Sequence, residues 1–330
     1  MLNKKEAYLC LSAMLRAREP KLLNADRAGR MLDAASYEEA AKLLTDCGYE
    51  DMSQMSAKEV EAAINSHRAE IFAELDRLAP EKDIIDIFRM KYDYHNAKVL
   101  VKAEATGADS ENLFSDIGRI SGEKLKALYE EGKFSSMPGK LGSAVEEAKL
   151  VLARTSNPQQ SDFVLDKAYF GEMLEKANEC GNVFLEGYAK TLIDAANLKI
   201  AVRTMRMNKN QDFLKSVLIP GGFVDKDRIA AAGDRESLAG LYAHGIFEDA
   251  ALKGAEAAAG GRQTEFELAC DNAVNGYLKS AKLVSFGSEP LTAYLAALEN
   301  EVTAVRMILT GRLAGIKSGT IKERLRDLYA

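Results

Sequence analysis

Apolar positions along the chain recur at spacings of three and four, and clear alternating runs of Val, Ile, Thr and aromatics are missing. That period predicts helices, not strands. Six prolines (Pro20, Pro80, Pro138, Pro158, Pro220 and Pro290) punctuate long segments rich in Ala, Leu, Glu, Lys and Met. Such residues lose little freedom in a helix. Lys4–Arg18 predicts a helix stopped by Pro20, which cannot continue the turn. Ser36, with Glu39 three residues on, predicts a capping box ahead of Ala40–Leu44. Ser56–Leu78 places Ile64, Ile71, Leu75 and Leu78 on one side and stops at Pro80, from which a further helix runs to about Ala105. Phe163–Cys180 and Asn182–Met207 predict an antiparallel pair around Gly181, and Thr264–Leu283 and Pro290–Gly311 predict another. In the last helix Leu291, Leu295, Leu298, Val302, Val305 and Leu309 form a seam for one neighbouring helix of the same chain. The predicted fold class is all-α.

A repeat runs through this pattern. Asn96-Ala-Lys-Val-Leu-Val101-Lys102 closes one long helix, Asn197-Leu-Lys-Ile-Ala-Val202-Arg203 closes a second, and Asn300-Glu-Val-Thr-Ala-Val305-Arg306 lies in a third. The shared pattern is Asn, four residues, Val, then Lys or Arg, at intervals of 101 and 103 residues. Three other segments keep the same phase: those opening at Leu23, Ile120 and Phe223 each begin with an apolar residue, then a capping or turn residue, then a short helix. A second short helix follows each, over Tyr37–Leu44, Phe134–Leu141 and Glu236–Tyr242. The chain therefore divides into three similar helical units of about 100 residues, 1–108, 109–210 and 211–330. Ser318-Gly319 begins what looks like a fourth unit, as Ser121-Gly122 begins the second, so the N-terminal helix is expected to complete a set with the C-terminal end.

Composition narrows the function. With 330 residues, 47% of them hydrophobic and 28% charged, a sizeable core is available. A net charge of −6 argues against a dedicated nucleic-acid binder, which needs a basic field. The four cysteines stand far apart and the three histidines are scattered, so neither a disulfide framework nor a metal site is expected. Arg16, Arg18 and Glu19 cut short the apolar stretch after the basic start, so neither a signal peptide nor a membrane span is expected.

Catalytic constellations are missing from the sequence. No phosphate-cradling G-x-x-x-x-G-K-[ST] occurs, and Gly221-Gly222 and Gly260-Gly261 read as turns between helices. There is no G-x-S-x-G, and Cys10, between Leu9 and Leu11, reads as a buried structural thiol. No E-x-x-H pair supports a helical metal site; His67 and His95 read as surface or boundary residues. Arg203, Arg206 and Lys209 read as a solvated face, or else as an electrostatic partner surface. The repeated Asn and Lys/Arg admit two explanations. Either each Asn bonds a neighbouring backbone and each cation pairs locally, or three units ring an axis and point these groups at a shared partner.

These residues carry a resemblance. Tyr8, Arg16-Ala17-Arg18, Leu22-Leu23, Leu32-Asp-Ala-Ala-Ser36 and Glu38-Glu39-Ala lie near the N-terminus; Asp93-Tyr-His-Asn96-Ala-Lys98 follows. Next come Asn197-Leu-Lys199, Val202-Arg203 and Ile219-Pro220-Gly221-Gly222-Phe223, then Glu289-Pro290-Leu, Tyr294-Leu, Glu299-Asn-Glu301, Arg306, Gly311-Arg312 and Ile321. In this order the chain resembles the C subunit of the bacterial and archaeal V/A-type rotary ATPases, counterpart of the eukaryotic d subunit. One departure is Thr303, where another Asn is expected, and it bears on whether the third Asn shares the role of the others.

The resemblance implies a funnel of three units around a pseudo-threefold axis, peripheral to the cytoplasmic face of a membrane. It implies a non-catalytic central-stalk subunit that joins central-shaft subunits to the membrane proteolipid ring and so serves H⁺ or Na⁺ transport. No cofactor, direct nucleotide or nucleic acid is expected, and the chain would be one copy within a hetero-complex. Asn96, Lys102, Asn197, Arg203, Asn300 and Arg306 are the expected partner-binding residues, near the axis. The alternatives are a helical-repeat scaffold for a soluble protein partner, and an enzyme with a deep pocket of converging carboxylates.

Overall fold

The computed structural model describes residues 5–107 and 113–330, and every regular element among them is helical. In chain order these are α1 (Leu9–Arg18), α2 (Ala25–Asp33), α3 (Tyr37–Lys42), α4 (Ala57–Leu78), α5 (Lys82–Thr106), α6 (Gly122–Glu130), α7 (Leu141–Thr155) and α8 (Pro158–Glu179). There follow α9 (Val183–Arg206), α10 (Gln211–Val217), α11 (Lys226–Ala231), α12 (Arg235–Gly240), α13 (Glu248–Ala258), α14 (Gln263–Lys279), α15 (Ser288–Leu313) and α16 (Ser318–Lys322). None is long and apolar enough to cross a membrane. The predicted start of the first helix at Lys4 and the predicted unit boundary at 108/109 lie outside the described residues.

Capping chemistry explains most of the starts. Ser56 and Glu59 exchange hydrogen bonds in a full capping box ahead of α4. At α3 only half the predicted box forms: Ser36 accepts from the Glu39 N–H, but the Glu39 carboxylate takes the Ala35 N–H. Asn24, Ser121 and Asp225 cap α2, α6 and α11, and Asn182 caps α9 after Gly181, whose φ of 62° suits the turn. Phe134–Ser136 is a 3-10 turn, not a helix, and α7 begins only at Leu141.

The helices gather into two compact units. One is continuous, Glu81–Gly233; the other is split between residues up to Pro80 and Asp234–Ala330. The packing and the sequence repeat divide the chain at different places, because α5 lies against α6, α7 and α8. In the continuous unit, α8 also lies against α9, and α10 and α11 close over α9.

In the split unit α15 packs against α1, α3, α4, α14 and α16. The six seam residues from Leu291 to Leu309 are all buried, as are Ala293, Ala296, Ala297 and Ala304 on other sides. The expected single neighbour is thus corrected to several: small alanines let helices approach from more than one side, and a helix buried over most of its surface is a core helix. Cys10 is also corrected. It is exposed, because α1 turns Leu11, Ser12 and Leu15 inward and leaves Cys10 off that face. The ends of the chain meet in this unit, as the sequence phase predicts. Arg312 donates to the Leu32 and Ala34 carbonyls at 2.9 and 2.6 Å, and Ser318 to the Leu32 carbonyl at 2.8 Å.

Candidate functional site

On α5, Asp93 and Asn96 are three residues apart and therefore on one side of the helix, and both are fully buried. A buried carboxylate or amide is costly unless bonded, and the segment leading into α6 supplies the bonds. Asn96 Nδ2 donates to the Ser115 carbonyl at 2.8 Å while the Ser115 N–H donates to Asn96 Oδ1 at 2.9 Å. The Asp93 carboxylate accepts the Arg119 N–H at 2.9 Å and the Ile120 N–H at 3.4 Å. One helix face thus grips both ends of a turn, the amide imitating a strand partner and the carboxylate gathering loose N–H groups just before a helix begins.

The same clamp recurs on α9. Asn197 exchanges two 2.8 Å bonds with the N–H and carbonyl of Ile219. Asp194 accepts the Phe223 and Val224 N–H groups at 3.2 Å each. A glycine sits at the matching place in each turn. A Cβ on Gly118 would lie 2.2 Å from Asp93 Oδ1, and one on Gly222 would lie 2.1 Å from Asp194 Oδ1. Both glycines are there so that the backbone can close on the carboxylate.

The two clamps differ in one position. Arg119 stands in the first turn where Phe223 stands in the second. Arg119 Nε donates to Asp93 Oδ2 and Nη1 to Glu172 Oε1 of α8, both at 2.6 Å, and Tyr94 donates to Glu172 Oε2 at 2.8 Å. Asp194 has no such cation among the described residues: burial pushes it up to about 6, against the pull of its two backbone N–H bonds. Burial also raises Asp93, against its bonds to Arg119.

A third carboxylate does this work on α15. Ala297 occupies the position that the repeat gives to Asp, and Glu301, one turn further on, is used instead. Glu301 Oε2 accepts the Leu23 N–H at 2.5 Å, and Oε1 accepts the Tyr49 hydroxyl at 3.0 Å. Leu23 immediately precedes the cap of α2, as Ile120 precedes that of α6 and Val224 that of α11. The last long helix therefore clamps the first turn of the chain. Burial pushes Glu301 up to about 7.

Around Glu301 lie residue types that elsewhere do chemistry. The Tyr49 and His67 rings are 3.9 Å apart, and Arg27 Nη1 donates to Cys47 Sγ at 3.0 Å. Burial raises the Cys47 thiol to about 11 and lowers His67, so at neutral pH the group holds a thiol, not a thiolate. Among the described residues no set of three or more His, Cys, Asp or Glu side chains could hold a metal ion. The groove between α7, α8 and α10, lined by Phe163, Lys167 and Phe213 among others, has one carboxylate, Glu147, in its wall.

The six residues singled out by the sequence repeat separate into two kinds. Asn96 and Asn197 are buried and face the chain's own turns. Asn300, half-buried, donates to Asn275 Oδ1, and Asn275 passes the link to the Asp327 carbonyl at 2.7 Å; its role differs, at the unit where Thr303 departs from the pattern. Lys102 is exposed and pairs with Asp162 at 2.7 Å, Arg203 is exposed, and Arg306 makes a two-pronged pair with Glu61 at 2.7 Å. Asp93, Asp194, Gly118 and Gly222 fall outside the repeat as read from the sequence. Their signal was available as Asp-x-x-Asn on a helix with a glycine in the following turn.

The fold and these clamps define an all-helical protein whose conspicuous polar groups hold its own connecting turns. Residues 11–324 match the ATP synthase (C/AC39) subunit family, and the chain belongs to that family. It is 25% identical over 325 residues to the C subunit of the V-type sodium ATPase of Enterococcus hirae, covering 98% of this chain and 99% of that protein. It is 26% identical over 351 residues to the C subunit of the A-type ATP synthase of Methanocaldococcus jannaschii, covering 97% and 86%. The resemblance drawn from the sequence thus holds: the family is that of the ATP synthase (C/AC39) subunit, and both relatives are C subunits, of a V-type and an A-type complex.

Proposed function

We propose that this chain is a non-catalytic part of the central stalk, coupling the rotor shaft to the membrane proteolipid ring from the cytoplasmic side. In this reading three units of about 100 residues surround a pseudo-threefold axis. The observation that supports it is the clamp repeated on α5 and α9 and taken up by Glu301 on α15, within a chain related end to end to the C subunit of a V-type ATPase. Turns fixed by buried carboxylates resist deformation, as a torque-bearing adaptor requires. The partner surface is proposed to include Lys102, Arg203 and Arg306, with Asn96, Asn197 and Asn300 setting the helices that carry them.

The test is co-purification of the tagged chain with central-shaft subunits and, separately, with the detergent-solubilised ring. Retention of both is expected, weakened by Lys102→Glu and Arg203→Glu. Arg306→Glu is combined with Glu61→Arg, so that the internal pair is restored in reverse. Retention of neither partner would sink the coupling role and leave a scaffold for some soluble protein.

A further inference from the structure

The three clamps are built alike but differ in what balances their charge. Asp93 has a guanidinium against it: Arg119 Nε lies 2.6 Å from Oδ2. Glu301 is just as deeply buried, 2% exposed, and is met by one backbone N–H and one phenol. The nearest cation on α2, Arg27, makes its contacts elsewhere, with Nη1 on Cys47 Sγ at 3.0 Å and Nη2 3.9 Å from Asp46, and its charge offsets the burial of Glu301 only in part. From α4, His67 stacks on Tyr49, and Arg68 faces Glu299 at 3.8 Å. On its own helix Tyr294 lies toward Arg18 of α1, which is itself held by Glu74. So the carboxyl that joins the C-terminal helix to the N-terminal turn is deeply buried without a cation in contact, and carrying a charge there is costly.

We propose that Glu301 is a proton-linked latch: neutral, it holds the Leu23–Asn24 turn against α15, and ionised, it favours release of that turn. The reason is solvation. Closed, the carboxylate would sit in a dry pocket with two donors; open, the proton passes to water and the charge is hydrated. The sign follows from linkage. Burial raises this group from 4.5 to about 7 in the closed form. The closed form therefore binds more protons, and the latch is strongest below about pH 4.5 and is lost as pH rises through about 7.

The test is hydrogen exchange of the full-length chain, read on peptides spanning residues 20–28 and corrected for the intrinsic pH dependence of exchange. In the wild type, protection of this segment should fall by about tenfold per pH unit from pH 5.5 to about 7 and then level off. Glu301→Gln, which is neutral at every pH, should give a flat profile. Parallel profiles for the two proteins would overturn the proposal. Should Glu301→Gln fail to fold, Tyr49→Phe replaces it. Loss of the phenol donor removes support for the charge, so the levelling point should move to higher pH, and an unmoved levelling point would overturn the latch.

Discussion

Gly222→Ala tests the second clamp at its tightest point. The added methyl would lie 2.1 Å from Asp194 Oδ1 and 3.2 Å from Ile193 Cγ2, where real Cβ contacts stay above 3.0 Å. Asp194 is 2% exposed and both its bonds run to this turn, so either the carboxylate must rotate away from the turn or the turn must lift away from the carboxylate. That movement breaks one or both of the Phe223 and Val224 bonds. Leaving a buried donor or acceptor unsatisfied costs about 1–3 kcal/mol, so the expected loss is about 2–5 kcal/mol. The assay is urea unfolding at about pH 5, where the contribution of Asp194 is still largely present. Gly233→Ala is the control: a Cβ there meets nothing within 4 Å, and its cost should stay within about 0.5 kcal/mol. A double-mutant cycle assigns the cause. In an Asp194→Ser background the clashing oxygen has gone, and Gly222→Ala should add little. A cost near that of the control, or full additivity in the cycle, would refute the close-approach explanation of this glycine.

Other perturbations separate the parts of the network. Asn197→Ala strands the N–H and carbonyl of Ile219, which is 2% exposed, and should cost about 2–5 kcal/mol in denaturant unfolding. Asn96→Ala should cost less, about 1–2 kcal/mol, because Ser115 is only half-buried and water can take over its bonds. Arg119→Met leaves Asp93 and Glu172 facing each other without their shared cation and should cost about 3–5 kcal/mol, part of it recovered by adding Glu172→Gln. The pH dependence of Asp194 has a definite sign. Its folded value is raised from 3.8 to about 6, so its contribution is whole below about pH 3.8 and lost as pH rises through about 6. Relative to Asp194→Asn, the wild type should therefore gain about 2.5 kcal/mol between pH 8 and pH 4, and a gap that is constant with pH would contradict the burial of this group.

Much of the architecture is legible in the sequence because it is local. Prolines and caps punctuate the helices, and Asn182 and Gly181 mark a turn that the structure forms as expected. The shared phase of the short helices leads straight to the turns that are clamped. Other features depend on distance. Asn96 and Asn197 stand out because their spacing repeats, but their partners Ser115 and Ile219 lie 19 and 22 residues downstream, so no fixed offset marks them. Glu301 reaches back 278 residues to Leu23, and it takes the place of an Asp one turn earlier, so neither spacing nor residue type announces it. Cys10 misled for the opposite reason. Its flanking leucines suggest burial, yet Leu9 is 47% exposed and the buried stripe of α1 begins at Leu11.

The split unit also has a consequence for biosynthesis. Residues up to Pro80 belong with Asp234–Ala330, and the helix that encloses them, α15, is among the last segments to be translated. The first eighty residues must therefore wait on the ribosome and afterwards without their central helix, while Glu81–Gly233 can fold as soon as it emerges. Met31, Leu44, Ile64 and Phe72, buried in the finished protein, stay exposed through that interval. The N-terminal segment thus lacks the packing surface of α15 until synthesis is nearly finished, and a truncation that removes α15 should leave its apolar residues uncovered.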